Sequence, residues 1–283
     1  MMKIAWIGTG VMGKAMIANL LQAGYEVHTY NRTYERMKDI DTPFKFTTIK
    51  ECVEHCDVVI TMVGYPSDVE EVYFNDGILD YAKEGAILID MTTSSPDLAK
   101  KIANATTKHG VLDAPVSGSD VYAKSGKLTI MVGGDEATYQ AALPIFEVMG
   151  ATINRIGEHG AGQHCKMCNQ IAIAGAISGV AETITYMKKQ GLDPEKVFAA
   201  ITKGSAQSWQ LDNNGPKALK EDFAPGFYIK HFIKDMNIAR DEARLANMNL
   251  EVLNTVCHMY ESLAKAGFED EGTQALIKYY ETK

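Results

Sequence analysis

The chain has 283 residues, 46% of them hydrophobic and 23% charged, with a formal net charge of −8. That length suits two domains, the composition is that of a globular protein, and no Lys/Arg block or basic face points to a nucleic-acid partner. No apolar run has membrane-spanning length, no signal-peptide pattern opens the chain, and an odd five cysteines predict a reduced, cytoplasmic setting without a disulfide framework.

In chain order, KIAWIG (3–8) is a β-rich run ending in glycine. Met12, Met16, Leu20 and Ala23 then recur at helical spacing, and Gly24 is a natural stop. Strands are predicted at 26–31, 57–63, 86–92, 111–116, 128–134 and 151–157, with helices at 94–110 and 135–148. Strands alternating with helices predict a doubly wound α/β domain. Within it, Gly8, Gly10 and Gly13 form G-x-G-x-x-G between the first strand and the first helix. In that context the glycines serve a tight turn, close approach to a pyrophosphate, and close helix–strand packing. A glycine-rich turn that binds nothing is the plainer alternative.

The end of the second strand indicates which dinucleotide is bound. An NAD site usually carries an acidic residue there for the ribose hydroxyl. Here Asn31, Arg32 and Thr33 stand instead. A neutral residue does not repel a 2′-phosphate and an arginine can pair with one, so NADP is favoured over NAD.

From Gly162 to about Gln190 nothing stops a helix, and its apolar residues around 171–180 cover much of its circumference. Helical runs are predicted at 194–203, 205–221, 230–248, 251–266 and 270–281, with no strand. The expected organisation is a Rossmann dinucleotide-binding domain over 1–161 and an all-α substrate and dimerisation domain over 162–283, opened by a long connecting helix. The active site is expected in the cleft between them.

Lys166, Asn169 and Gln170 fall at i, i+3 and i+4, on one helical face. A lysine partly withdrawn from water moves toward neutrality and suits general acid/base work. The alternative is a lysine that reaches out to solvent from a helix end. Cys165 and Cys168, beside His159 and His164, form a single C-x-x-C without a second pair. That is a poor zinc signal, and no metal is expected. Ser117 and Gly118 follow a strand and a proline, where a hydroxyl and free N–H groups suit a substrate carboxylate. Lys234 interrupts an apolar helical pattern, and burying it requires a partner or a ligand.

The motifs G-T-G-V-M-G (8–13), D-A-P-V-S-G (113–118), G-x-G-Q-x-x-K-x-x-N (160–169) and K-D-M-x-x-A (234–239) together resemble the β-hydroxyacid dehydrogenase family. That family includes 3-hydroxyisobutyrate dehydrogenases, tartronate semialdehyde and glyoxylate/succinic semialdehyde reductases, and the larger 6-phosphogluconate dehydrogenases. The resemblance covers nearly the whole chain. It implies Lys166 as the catalytic lysine with Asn169 beside it. It places Gly8, Thr9, Gly10, Val11, Met12 and Gly13 on the cofactor, Met62 and Val63 near it, and Thr93 and Lys234 at its end of the cleft. It places Ser117 and Gly118 on the substrate, with Asp235, next to Lys234, also on the substrate side and Phe227 as an aromatic wall. Core packing is the alternative for Phe227. Two positions depart from the family: Ser119 replaces a frequent glycine, and Gln170 a frequent asparagine, both on the substrate side. Imine reductases share the fold but usually lack the lysine.

The expected function is an NAD(P)-dependent oxidoreductase. It would interconvert a small β- or γ-hydroxy acid and its semialdehyde, or glyoxylate and glycolate. A homodimer or homotetramer with a small carboxylated substrate is expected. A non-catalytic NAD(P)-sensing or scaffold protein on the same fold is the alternative.

Overall fold

The computed structural model describes residues 2–281. Backbone contacts divide the chain into two compact units, one up to Lys166 and one from Met167 on. The first unit runs β1 (Lys3–Ile7), α1 (Val11–Gln22), β2 (Glu26–Tyr30), β3 (Lys45–Phe46), α2 (Ile49–Val53), β4 (Val58–Thr61), α3 (Pro66–Phe74), α4 (Ile78–Tyr81) and β5 (Ile87–Asp90). It continues with α5 (Pro96–Asn104), β6 (Gly110–Asp113), β7 (Val116–Ser117), α6 (Asp120–Lys124), β8 (Leu128–Gly133), α7 (Glu136–Met149) and β9 (Gly150–Gly157). Helix α8 (Ala161–Gln190) passes from the first unit into the second. The second unit adds α9 (Pro194–Ile201), α10 (Gly215–Leu219), α11 (Ile229–Leu245), α12 (Glu251–Lys265) and α13 (Lys278–Glu281).

Strands β3-β2-β1-β4-β5-β6 form a parallel sheet in that spatial order. The order reverses between β1 and β4, which opens a crevice at their carboxyl ends where dinucleotides bind in such folds. Both faces of the sheet are covered, so alternate residues of one strand serve different cores. Ile4 and Trp6 of β1 pack with Met16, Leu20 and Phe146, while Ala5 and Ile7 pack with Val59, Tyr73 and Leu88. Strand β8 lies antiparallel to β6 and β7 in one unbroken register, with Asp113 opposite Gly133 and Val116 opposite Ile130. Strand β9 pairs with β8 in parallel. In the second unit Ile184, Phe232, Met236, Tyr260, Leu263 and Leu276 form the core.

The doubly wound sheet, the long helix and the helical second half are as the sequence predicts. Three local expectations are corrected. The helix expected over 205–221 is instead a π-helical turn, Gln210–Asn214, followed by the short α10. Pro216 has no N–H to give and needs room at the preceding turn, which the wider π turn provides. The helix expected over 270–281 begins as a 3-10 turn, Thr273–Ile277, where the buried Gln274 turns inward to the carbonyls of Asp222 and Ala224. The two-residue β3 was not anticipated, and the strand expected over 111–116 is broken between β6 and β7 at Ala114-Pro115.

Candidate active site

The glycine loop joins β1 to α1. Gly8 has φ +101, and a Cβ there would collide with the Met62 carbonyl oxygen at the end of β4. A Cβ on Gly13 would collide with the Gly8 carbonyl oxygen, which also accepts the Trp6 indole N–H at 2.8 Å. Both glycines are therefore required by the protein's own packing. Gly10 differs, because a Cβ there would meet no protein atom within 4 Å. Gly10 is the N-cap of α1, contributes no side-chain cap, and the first turn, with Val11 and Met12, carries no acidic residue. An uncapped helix start of this kind is a site for phosphate. The space beside Gly10 and the free helix terminus fit a pyrophosphate.

At the end of β2, Asn31 braces the loop. Its Oδ1 accepts the Thr9 N–H at 3.0 Å and its Nδ2 donates to the Thr33 carbonyl at 3.0 Å. The buried Thr9 is thereby held to β2. Arg32 is 77% exposed, and its guanidinium lies 3.7 Å from Asp68 and 3.8 Å from Glu71, both on α3.

The start of α8 is fastened to the carboxyl edge of the sheet. The buried Asp113 carboxylate at the end of β6 accepts the Gly160 N–H at 2.7 Å and the Gln163 N–H at 2.9 Å. Gln163 in turn accepts the Ser94 N–H at 3.0 Å and donates to the Thr92 carbonyl at 2.8 Å. Thr93 lies between those two residues. Val63 at the end of β4 donates its N–H to the Thr92 hydroxyl at 3.0 Å. Lys166, one helical turn beyond Gln163, is only 7% exposed. The snorkelling alternative for this lysine is not what the fold adopts.

Asp90, at the end of β5, accepts the Thr61 hydroxyl at 2.8 Å and the Thr92 N–H at 3.0 Å, both on Oδ1. Burial pushes its carboxyl up to about 6 despite those bonds, and the Asp113 charge adds to the rise. Asp113 is also raised by burial, with its two N–H bonds pulling the other way.

Within the second unit, Asn169 donates to Gln170 at 2.8 Å, Gln170 donates to Asp235 at 2.6 Å, and Lys234 pairs with Asp235 at 3.0 Å. Asp235 is 2% exposed. Gln170 and Asp235, expected to face substrate, thus spend these polar atoms on a buried chain that orients Asn169. Lys234 finds the partner its apolar surroundings demand. Phe227 packs against Phe232 with ring centroids 5.6 Å apart, so at least one side of it belongs to the core. Ser117 is paired to β8 opposite Thr129. Gly118 has φ +138, and Ser119, with φ −79, stands at the N-cap position of the short α6 without a side-chain capping bond. Serine at 119 therefore needs none of a glycine's backbone freedom.

Residues 3–157 match the family model described as the NAD binding domain of 6-phosphogluconate dehydrogenase. Residues 160–280 match the one described as NAD-binding of NADP-dependent 3-hydroxyisobutyrate dehydrogenase. An uncharacterized oxidoreductase of Bacillus subtilis is 51% identical over 98% of both chains. The 2-hydroxy-3-oxopropionate reductase of Escherichia coli is 35% identical over 99% of this chain and 97% of its own. The structure of Mycobacterium tuberculosis 3-hydroxyisobutyrate dehydrogenase with L-serine superposes with a TM-score of 0.91 at 32% identity, covering 98% of this chain and 99% of the other. The chain belongs to the β-hydroxyacid dehydrogenase family.

Members of this family are NAD(P)-dependent oxidoreductases, and the open, uncapped α1 terminus suits that cofactor. Among the described residues no three His, Cys, Asp or Glu side chains gather to hold a metal, and no disulfide is formed. No described helix is long and apolar enough to cross a membrane. Three contributors escaped the sequence reading as site residues: Asp90, Asp113 and Gln163. The last two lay inside quoted motifs, but their bonds cross 47 to 71 residues of chain.

Gly10→Ala should leave the melting temperature unchanged and weaken dinucleotide binding at least about tenfold, since a methyl there meets only ligand. Gly13→Ala should lower the melting temperature by roughly 3–10 °C through overpacking. Calorimetry with cofactor titration checks both, and equal destabilisation by the two variants would refute the distinction.

Asp90→Asn keeps an oxygen for both donors and removes the titration. An acid with a raised folded pKa contributes most below its unfolded value and loses that stability as pH rises through the folded one. The loss here is on the order of 2–3 kcal/mol by about pH 7. The melting temperature of Asp90→Asn relative to wild type should therefore rise by several degrees between pH 4.5 and pH 8. A pH-independent difference would show that Asp90 does not titrate in this window.

Proposed function

We propose that this protein is an NADPH-preferring reductase that interconverts a small β- or γ-hydroxy acid with its semialdehyde, or glyoxylate with glycolate. The observation that carries the proposal is Lys166, a buried lysine one turn beyond a helix start fastened to the carboxyl edge of a dinucleotide-binding sheet. The names of two relatives support the substrate class, since 3-hydroxyisobutyrate and 2-hydroxy-3-oxopropionate are both short oxygenated carboxylic acids.

Bound NADPH supplies the hydride. Lys166, as an ammonium, donates a proton to the carbonyl oxygen as charge builds there, and as an amine takes it back in oxidation. Asn169, oriented by Gln170 and Asp235, places a polar group beside the same oxygen. The Ser117 hydroxyl and the backbone of Gly118 and Ser119 take the substrate carboxylate. Phe227 limits substrate length with the side it does not give to the core. The loop from Gly8 to Gly13 and the α1 terminus hold the pyrophosphate, Arg32 and Thr33 the 2′-phosphate, and Met62, Val63, Thr93 and Lys234 the nicotinamide end. Asn31 acts through the brace it gives to Thr9. The proposal extends to a cytoplasmic homodimer or homotetramer, which would help cover side chains such as the exposed Tyr186 on α8.

The test is NADPH consumption with a panel of two- to four-carbon oxo acids and semialdehydes. Lys166→Ala should lower kcat by about a hundred- to ten-thousandfold and leave NADPH affinity nearly unchanged. A variant that keeps more than about a tenth of wild-type kcat would remove Lys166 from the proton step.

Arg32→Ala should raise the Kd for NADPH about tenfold or more and leave that for NADH nearly unchanged, as expected for loss of a charge-assisted hydrogen bond. Equal losses for both cofactors would assign Arg32 to packing.

A further inference from the structure

Gln163 is wholly buried, at 0% exposure, in the first turn of α8. Its side-chain amide is spent at both ends. Oε1 accepts the Ser94 N–H at 3.0 Å and Nε2 donates to the Thr92 carbonyl at 2.8 Å. These two residues flank Thr93. The segment is also held from two other directions, by Val63 N–H on the Thr92 hydroxyl and by Thr92 N–H on Asp90. The Gln163 N–H is itself fixed by Asp113. Lys166 follows at i+3, on the same side of the helix.

We infer that Gln163 is a positioning residue: its amide clamps the Thr92–Ser94 segment to the helix turn that carries Lys166, and so sets the rate of the chemical step. The inference rests on the roles proposed above for Lys166 and Thr93. The site demands a side chain that donates and accepts at once without charge. Asparagine is one methylene too short to reach both peptide groups. Glutamate has the length but, when ionised, turns an acceptor toward the Thr92 carbonyl. A protonated glutamic acid regains the donor, so Gln163→Glu carries its own rescue. Burial raises the pKa of such a carboxyl. The titratable groups joined to the network are Asp113, through the Gln163 N–H, and Asp90, through the Thr92 N–H, with Lys166 and His159 on the adjoining chain. Asp90 also titrates in the wild type, so the ratio of variant to wild type at each pH is the quantity to follow.

At pH 8, kcat of Gln163→Glu should fall about a hundredfold, the loss expected when reacting groups are misplaced by about 1 Å. The ratio to wild type should recover at least about tenfold on lowering the pH to 5.5, by reprotonation of the new carboxyl. Gln163→Asn should lose kcat by a similar factor at both pH values. Without any ligand, it should also speed hydrogen–deuterium exchange at the Ser94 amide relative to wild type. A ratio that stays flat with pH for Gln163→Glu, or an asparagine variant with fast Ser94 exchange and wild-type kcat, overturns the inference. If Gln163→Glu does not fold at pH 8, the asparagine variant decides by the same two readouts. If the wild type reduces no oxo acid or semialdehyde, the proposed function fails and the rate role of Gln163 with it. Unchanged Ser94 exchange in an active wild-type background is a failure of the clamp alone.

Discussion

The arrangement depends on one buried carboxylate. Asp113 ends β6 and receives two N–H groups from the chain that begins α8. A helix start has N–H groups without intrahelical partners and a partial positive charge, and a carboxylate satisfies both. The difference from an ordinary cap is that this one is contributed by the sheet. It converts a helix that could leave the domain in any direction into one anchored at the carboxyl edge of β6. The glycines around it follow from the same contact. A Cβ on Gly133 would collide with the Asp113 carboxylate, and one on Gly162 would lie 2.6 Å from the Asp113 carbonyl oxygen. Gly133 at the end of β8 and Gly162 just before Gln163 leave room for Asp113.

That anchor has a cost. Asp113 and Asp90 both end strands of one sheet, both are buried, and both have carboxyls pushed up by burial. Two like charges in a site of low polarity oppose each other. The structure offsets this with hydrogen bonds to the charged forms: two backbone N–H groups on Asp113, and a hydroxyl and an N–H on Asp90. Each of those donors belongs to a segment that the site needs held. The N–H groups on Asp113 fix α8, and those on Asp90 fix the ends of β4 and β5. One set of bonds thus both offsets the electrostatic penalty and orders the site.

The parts legible in the sequence were those governed by local pattern. Period and glycine spacing predicted the doubly wound sheet, the loop at Gly8 to Gly13, and a helix from 162 to about 190, found as Ala161–Gln190. The joints were not legible. Asn31 was judged by its missing charge, whereas its amide braces Thr9 across 22 residues of sequence. Gln170 and Asp235 meet across 65 residues, and Gln163 reaches Thr92 across 71. Periodicity does not encode such pairings, because each depends on where two distant elements pack. The π turn at 210–214 was missed for a different reason: Asp212, Asn213 and Asn214 are weak helix formers and Gly215-Pro216 is a breaker, a local signal overridden by reading 205–221 as one helix.

The surroundings of Arg32 bear on how strong the proposed preference for NADPH can be. Its guanidinium is exposed and stands beyond hydrogen-bond distance of the two α3 carboxylates, so neither pair holds it firmly. Asp68 nonetheless cannot move away. Its Oδ2 accepts the Tyr65 N–H at 3.0 Å and closes the first turn of α3, which fixes Oδ1 on the side of Arg32. A dianionic 2′-phosphate would gain two donors from the guanidinium but would lie near a fixed negative charge. A ribose hydroxyl would feel no such repulsion and could donate to the same carboxylates. Arginine and carboxylates in one place thus make the proposed preference a difference between attraction and repulsion, graded by how far Arg32 swings from α3.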